Sequence, residues 1–227
     1  MTIIEQSLGE IARNIPGATA IFHKYQLDFC CGGNKSLRDA TAGRSLNSDA
    51  LVAELMAMQS RQSAEQDLAV LPNLELIEHI LTRYHDIHRE QLPELIRLAQ
   101  RVELVHGNKS DCPRGLAHHL ETMQQELEKH MQKEEQILFP MISRGMTHVA
   151  VQPILMMRGE HDDHGAILAV IDRITHNITL PQGACNTWRA LYLGLETFKT
   201  DLMDHIHLEN NILFHRIDNQ TVGVNHA

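Results

Sequence analysis

The ten residues HMQKEEQILF at positions 130–139 return, in altered form, as HIHLENNILF at positions 205–214. Each stretch continues an apolar stripe whose positions are spaced alternately by four and three residues, as on the inward face of a helix in a bundle. Both stripes contain a histidine followed four residues later by a glutamate: His130 with Glu134, and His205 with Glu209. The repeat therefore predicts two equivalent helices, each with two polar side chains on its buried face.

A second repeat, HDIHREQL at 85–92 and HDDHGAIL at 161–168, places His85 and His161 at equivalent positions on two further helices. Helical periodicity covers about residues 73–105, 113–143, 152–176 and 183–217, without the sustained alternation that is typical of strands. Because the connections are short, neighbouring helices are expected to run antiparallel. The sequence thus predicts an all-α protein built on a four-helix, up-down-up-down bundle.

The chain before the bundle has a different pattern. Residues 1–57 hold amphipathic stretches and the sequence Cys-Cys-Gly-Gly at 30–33, and they are expected to form a small helical domain. Residues 58–72 include the polar run SRQSAEQD, which lacks apolar periodicity and predicts a linker. The bundle itself is assigned to residues 73–220.

The composition argues against several classes of protein. Among 227 residues, 20 Lys and Arg against 29 Asp and Glu give a net charge of −9, whereas a general nucleic-acid binder needs a basic face. No apolar run approaches the roughly 20 residues that span a bilayer, and residues 1–10 lack the blocks of a signal peptide. A cytoplasmic protein with reduced thiols and no membrane contact is expected. The unusual feature is the content of 16 histidines.

The polar residues on the stripes predict a metal centre. Imidazoles and carboxylates in a bundle core are costly unless something pairs with them, and counting residues at about 1.5 Å of rise places six of them near one layer. Two bridging carboxylates and four imidazoles suit two metal ions such as Fe, Zn, Cu or Mn, and bridging carboxylates in a helical core favour di-iron or di-manganese. The six predicted ligands are His85, His130, Glu134, His161, His205 and Glu209.

The two His-x-x-x-Glu motifs at 130–134 and 205–209, together with His85 and His161, resemble a hemerythrin-like di-iron domain. The motif Tyr-x-x-Asp-x-Cys-Cys-Gly-Gly at 25–33 is similar to the small domain that precedes it in bacterial iron-sulfur cluster repair di-iron proteins. This resemblance covers almost the whole chain. Its combination of two motifs is more specific than either motif alone.

The resemblance implies a cytoplasmic homodimer, induced by nitrosative and oxidative stress, that restores damaged iron-sulfur proteins as a non-enzymatic donor of iron. It also implies that Glu134 and Glu209 bridge two iron ions. Hemerythrin itself uses five histidines and an aspartate besides a glutamate, and the departure from that set disfavours simple oxygen carriage. A sensor, carrier or reductase of nitric oxide or oxygen remains the alternative.

Three residues near the predicted ligands are assigned supporting roles. His88 and His164 follow His85 and His161 by one helical turn; they are interpreted as neighbours that support the metal ligands, and additional or replacement ligands are the alternative. Glu160 precedes His161 and is a candidate acceptor for a ligand imidazole; a solvated position is an equally good interpretation, as it is for Asp162.

The adjacent thiols of Cys30 and Cys31 are interpreted in two ways. They form either a thiol site that accepts iron, nitric oxide or a mixed disulfide, or a buried pair of small residues at a helix end. Two adjacent thiolates do not easily share one tetrahedral metal ion alone, and thiol reactivity depends on pKa and exposure. The other cysteines are expected to be ordinary thiols, and the remaining histidines, His207 among them, are expected on the surface or in loops.

Overall fold

The computed structural model describes residues 2–15, 17–42, 44, 46–59, 68 and 70–224, and the predicted linker at 58–72 lies mostly outside them. Within these ranges every regular element is a helix, apart from one isolated β-bridge between Ser7 and Ser36. The predicted all-α class is therefore confirmed. In the same part of the chain, no helix combines the length and apolar character needed to cross a membrane.

Short helices form the N-terminal part, after a single 3₁₀ turn at Ile3–Glu5. They are α1 (Leu8–Asn14), α2 (Ala18–Lys24), α3 (Leu37–Thr41) and α4 (Ser48–Gln59). Helix α1 begins with a capping box, in which Ser7 Oγ accepts from the N–H of Glu10 at 3.2 Å and the Glu10 carboxylate accepts from the N–H of Ser7 at 3.0 Å. The loop between α2 and α3 carries the two adjacent cysteines.

Four long helices form the bundle. They are α5 (Asn73–Ile80, Leu81–His85 and Asp86–His106), α6 (Leu116–Lys133, Glu134–Leu138 and Phe139–Ser143), α7 (Thr147–Ile174) and α8 (Asn186–His207, Leu208–Leu213 and Phe214–Val224). Helix α7 begins earlier than predicted. Its start was not predicted because no side-chain cap marks it and because Pro153 lies inside the helix. Helix α8 continues beyond the predicted end near residue 217.

The middle segments of α5, α6 and α8 are π-helical. His85 ends the first of these segments, Glu134 begins the second, and Glu209 lies in the third. A π turn changes the direction in which side chains leave the helix, and such turns are frequent at functional sites. The predicted ligands therefore coincide with the irregular turns of the bundle.

The buried apolar residues form two clusters on opposite sides of the predicted ligands. One cluster joins the N-terminal helices to the bundle through side chains such as Phe22, Phe29 and Phe198. The other contains Phe139 and Phe214. Along each bundle helix one cluster precedes the predicted ligand and the other follows it, so the polar layer divides the core.

Leu191 and Leu193 provide a test of this core within one helix. Leu191 is fully buried, whereas Leu193 is 67% exposed. We expect Leu191→Ala to lower the free energy of unfolding by about 2–5 kcal/mol, because it leaves a cavity. Leu193→Ala should change it by no more than about 0.5 kcal/mol. Guanidinium unfolding of the two variants, prepared alike, measures the difference, and equal losses would contradict this packing.

Candidate metal centre

The bundle brings the six predicted ligands into one buried layer. Each is at most 1% exposed, and each bundle helix contributes at least one of them. Helix α5 supplies His85, α6 supplies His130 and Glu134, α7 supplies His161, and α8 supplies His205 and Glu209. Six ionisable side chains thus lie where apolar residues would otherwise be expected.

The imidazoles form two pairs. His85 and His205, called pair 1 here, have their Nε2 atoms 3.2 Å apart. His130 and His161, called pair 2, have their Nε2 atoms 3.1 Å apart. Within each pair the rings are steeply inclined, with centroids 4.9 and 4.8 Å apart, so both Nε2 atoms of a pair point to a common position.

Each carboxylate spans the two pairs. Glu209 places Oε1 3.1 Å from the Nε2 of His205 in pair 1 and Oε2 3.1 Å from the Nε2 of His161 in pair 2. Glu134 does the same, with Oε2 at 3.5 Å from pair 1 and Oε1 at 3.3 Å from pair 2. In each resulting group of two imidazoles and two carboxylates, the ligand atoms all lie within 4.8 Å of one another.

The hydrogen bonding leaves this donor set incomplete. Imidazole nitrogens lie 3.1–3.5 Å from both oxygens of Glu134 and from Oε2 of Glu209, but these contacts lack hydrogen-bond geometry, and the three buried oxygens have no hydrogen-bond partner among the described residues. Buried polar atoms are almost always paired, and a buried carboxylate without a partner is costly. Two cations, each held by one imidazole pair and one oxygen of each carboxylate, would satisfy these atoms. The residues therefore fit a pair of metal ions bound by nitrogen and oxygen.

The electrostatics keep the carboxylates ionised. Burial and mutual repulsion act to raise the pKa of Glu134, but the imidazoles beside it outweigh both and leave its pKa lowered. Burial would likewise raise the pKa of Glu209, yet His205 and His161 hold it well below its usual value. Two negative charges in the core require positive charge beside them, which either protons on imidazoles or metal ions provide.

Glu160 occupies the position that a supporting acceptor requires. Its Oε2 lies 2.9 Å from the Nδ1 of His130, the ring nitrogen that faces away from the centre. Hydrogen bonds from His130 and Lys133 lower the pKa of Glu160 to about 2. A charged acceptor at Nδ1 fixes the ring orientation and makes Nε2 a stronger donor to a metal.

Two residues that were not predicted from the sequence contact the outer ring nitrogens. Glu135 Oε1 lies 2.8 Å from the Nδ1 of His85, and Asn210 Oδ1 lies 2.9 Å from the Nδ1 of His161. Glu135 and Asn210 directly follow the two predicted bridging glutamates, and they occupy equivalent places in the repeat. That equivalence was the signal that could have identified them.

His88 and His164 are buried but lie outside both groups of ligand atoms. The ring of His88 lies 5.3 Å from that of His205, and the ring of His164 lies 4.7 Å from that of His130, between centroids. Burial lowers the pKa of His164 to about 3 and that of His88 well below its usual value, so both rings are neutral. Their predicted supporting role stays a prediction.

The expected exposed position of His207 is wrong. Its side chain is buried against Phe29 of the α2–α3 loop, with ring centroids 5.5 Å apart, and Asn211 lies within hydrogen-bond distance of its Nδ1. His207 lies beside the inward stripe of α8, on the side covered by the N-terminal helices. The bundle repeat alone does not reveal this second covered face.

Cys30 and Cys31 lie against α7, next to a predicted ligand. The Sγ of Cys31 donates to the carbonyl oxygen of His161 at 2.9 Å, and Asn210 Nδ2 donates to the carbonyl oxygen of Cys30 at 3.3 Å. Cys30 is buried and Cys31 is half-buried. The thiol of Cys31 thus contacts the backbone of a residue whose side chain belongs to the six-residue layer.

Known families and proteins match most of this chain. Residues 76–217 match the hemerythrin HHE cation binding domain, and residues 4–59 match a domain of unknown function, DUF542. The chain is 55% identical, over 93% of its length and 96% of the relative, to the iron-sulfur cluster repair protein YtfE of Yersinia pseudotuberculosis, strain IP 31758. The protein of the same name from Yersinia pestis, strain Pestoides F, has the same identity and coverage.

Glu160 and Asp162 allow a matched test of the support around the centre. We expect Glu160→Gln to weaken divalent metal binding by about 10–100-fold, because the His130 ring loses its charged acceptor. Asp162→Asn, an exposed neutralisation two residues away, should leave the affinity nearly unchanged. Competition of the metal-free protein with a chelator for Fe²⁺ measures both. Equal affinities of the two variants would argue against a role for the Glu160 charge.

Proposed function

This chain belongs to the hemerythrin HHE cation binding domain family and, along nearly its whole length, to the iron-sulfur cluster repair proteins, and we propose that it is a di-iron protein that repairs damaged iron-sulfur clusters. The observation that carries the proposal is the buried layer of four imidazoles and two carboxylates, whose unpaired oxygens fit two cations. The biological process, repair of iron-sulfur clusters, is inferred from the name of the relatives.

In this proposal one iron is held by His85 and His205 and the other by His130 and His161, with Glu134 and Glu209 bridging them. The support is that each carboxylate directs one oxygen to each imidazole pair. Imidazole and carboxylate donors suit iron, and bridging carboxylates in a helical core favour a pair of iron or manganese ions. The irons would supply the metal that a damaged cluster has lost.

Donation of iron suits this centre better than permanent retention. Its donor set contains no thiolate, and Asn210, which contacts His161, lines a cavity of about 310 Å³. The cavity gives water and small molecules an approach to the outer side of that ligand. The protein would then act as a non-enzymatic iron donor whose partners are damaged iron-sulfur proteins. A cytoplasmic location, a homodimer, and induction by nitrosative and oxidative stress are part of the same proposal.

Removing one bridge tests the di-iron assignment. Wild-type protein loaded with iron is expected to hold about two irons per chain, and Glu134→Ala should lose the absorption of the bridged pair together with at least one iron. Glu126→Ala, an exposed change on the same helix, serves as the control. Metal analysis with absorption spectroscopy decides the matter, and an unchanged spectrum in Glu134→Ala would contradict a bridging role.

A repair assay tests the function. Iron-loaded protein is mixed with an iron-sulfur enzyme inactivated by nitric oxide, and recovery of the enzyme is followed together with iron loss from the donor. We expect recovery beyond that given by the same amount of free iron, and none with Glu134→Ala. Recovery no greater than with free iron contradicts the proposal. Reversible gas binding without iron loss would indicate a sensor or carrier, and repeated turnover with an electron donor would indicate a reductase of nitric oxide.

A further inference from the structure

Asp28, Cys30 and Cys31 form a compact group of metal-ligand atoms outside the six-residue layer. The two Sγ atoms lie 3.5 Å apart, and the Oδ1 of Asp28 lies 3.4 Å from the Sγ of Cys30. The ligand atoms of all three side chains lie within 4.8 Å of one another. Thiolate and carboxylate donors together suit a borderline-soft divalent cation such as Fe²⁺, Zn²⁺ or Co²⁺.

The spacing of these atoms is close to that of a tetrahedral site. With metal–sulfur bonds of about 2.3 Å and metal–oxygen bonds of about 2.1 Å, neighbouring donors lie about 3.6–3.8 Å apart. The observed separations of 3.5 and 3.4 Å differ from this by a few tenths of an ångström. Asp28 supplies the third donor that two adjacent thiolates lack alone.

The glycines after the cysteines hold the loop in this shape. A Cβ on Gly32 would lie 2.9 Å from the Asp28 carbonyl oxygen and 3.0 Å from its Oδ2, and a Cβ on Gly33 would lie 2.6 Å from the Phe29 carbonyl oxygen. The N–H of Cys31 donates to the Asp28 carboxylate at 3.0 Å. Only glycine allows the chain to return this close to Asp28, which keeps the carboxylate beside the two thiols.

The loop is anchored to the bundle on the side of a predicted iron ligand. Asn210 joins them, because its Nδ2 donates to the Cys30 carbonyl while its Oδ1 lies 2.9 Å from the Nδ1 of His161. The thiol of Cys31 donates to the His161 carbonyl. On α7 the absence of a side chain at Gly165 admits Cys31, since a Cβ there would lie 3.1 Å from its Sγ.

Two cavities are lined by the cysteines of the loop. One of about 780 Å³ lies between the α2–α3 loop and helices α7 and α8, and Cys30 and Asp28 line it. The other, of about 310 Å³, is lined by both cysteines and by Asn210. A metal ion bound by the loop is therefore accessible without unfolding of the bundle.

We propose that Asp28, Cys30 and Cys31 form a second binding site for one divalent metal ion, adjacent to the six-residue centre. When the ion binds, each thiol loses its proton to water as the sulfur–metal bond forms, and no electrons are transferred. Its role, as the place that iron occupies on leaving the centre, rests on the proposed function. The binding itself does not.

Cobalt is the probe for this site, because thiolate-bound Co²⁺ gives a charge-transfer absorption that nitrogen and oxygen donors do not. Full-length protein with its centre loaded with iron is titrated with Co²⁺ under reducing, anaerobic conditions. We expect one additional Co²⁺ per chain with this absorption, and its loss in Cys30→Ser and in Cys31→Ser. Asp28→Asn should weaken binding at least about tenfold, since even partners of metal ligands are worth 10–100-fold in affinity.

Cys112→Ser and Cys185→Ser are the matched controls, because these thiols lie outside the group, and both should keep the absorption. Unchanged iron content and circular dichroism show that a variant is folded, and the half-buried Cys31 is the safer substitution should Cys30→Ser fail that check. Absence of the absorption in wild type, or its persistence in Cys31→Ser, overturns the site. Cobalt binding without repair of a client would refute the proposed function alone, whereas repair without thiolate-bound cobalt would refute this site alone.

Discussion

Two carboxylates buried side by side in an apolar bundle set the main electrostatic requirement of this protein. Glu134 and Glu209 are fully buried between two apolar clusters, where an uncompensated charge costs several kcal/mol. Two divalent cations would bring four positive charges, and the carboxylates of Glu134 and Glu209 with those of the outer Glu135 and Glu160 offer four negative ones. Arg89 and Lys133 in turn pair with the two outer carboxylates at the surface. Positive and negative charges thus alternate from the centre to the surface of the bundle.

The repeat within the bundle is informative where its copies differ. Glu135 follows Glu134 and accepts from His85 while it pairs with Arg89 of the same bundle. At the equivalent place Asn210 accepts from His161, but its amide also donates to the loop that carries Cys30. An ionised carboxylate accepts only, so it could not make both contacts. The exchange of a carboxylate for an amide therefore marks the side of the bundle that the N-terminal helices cover.

The helical class, the four bundle helices and the layer of polar residues followed from periodicity, because apolar spacing reports directly which face of a helix is buried. The π turns at His85, Glu134 and Glu209 did not follow, since a single added residue in the hydrogen-bond ladder leaves no clear mark on such a pattern. The buried position of His207 also could not be predicted. It depends on contact with Phe29, far away in the sequence, and single-helix periodicity contains no information on that contact.

The metal centre and the cysteine loop are in contact, and they differ in the donor atoms that they offer to a metal ion. The centre offers nitrogen and oxygen, whereas the loop adds sulfur, and the two share His161 through its carbonyl and its ring. These hydrogen bonds connect the loop to His161, so they form the route by which metal bound at one proposed site would influence the other. If both sites bind metal as proposed, a coupling free energy between them would be reciprocal, so each binding event would change the affinity of the other site by the same factor. If the affinity of the centre for iron falls when a ligand binds the thiol loop, the protein would retain its iron while it is free in solution. It would then release the iron on contact with a damaged iron-sulfur protein.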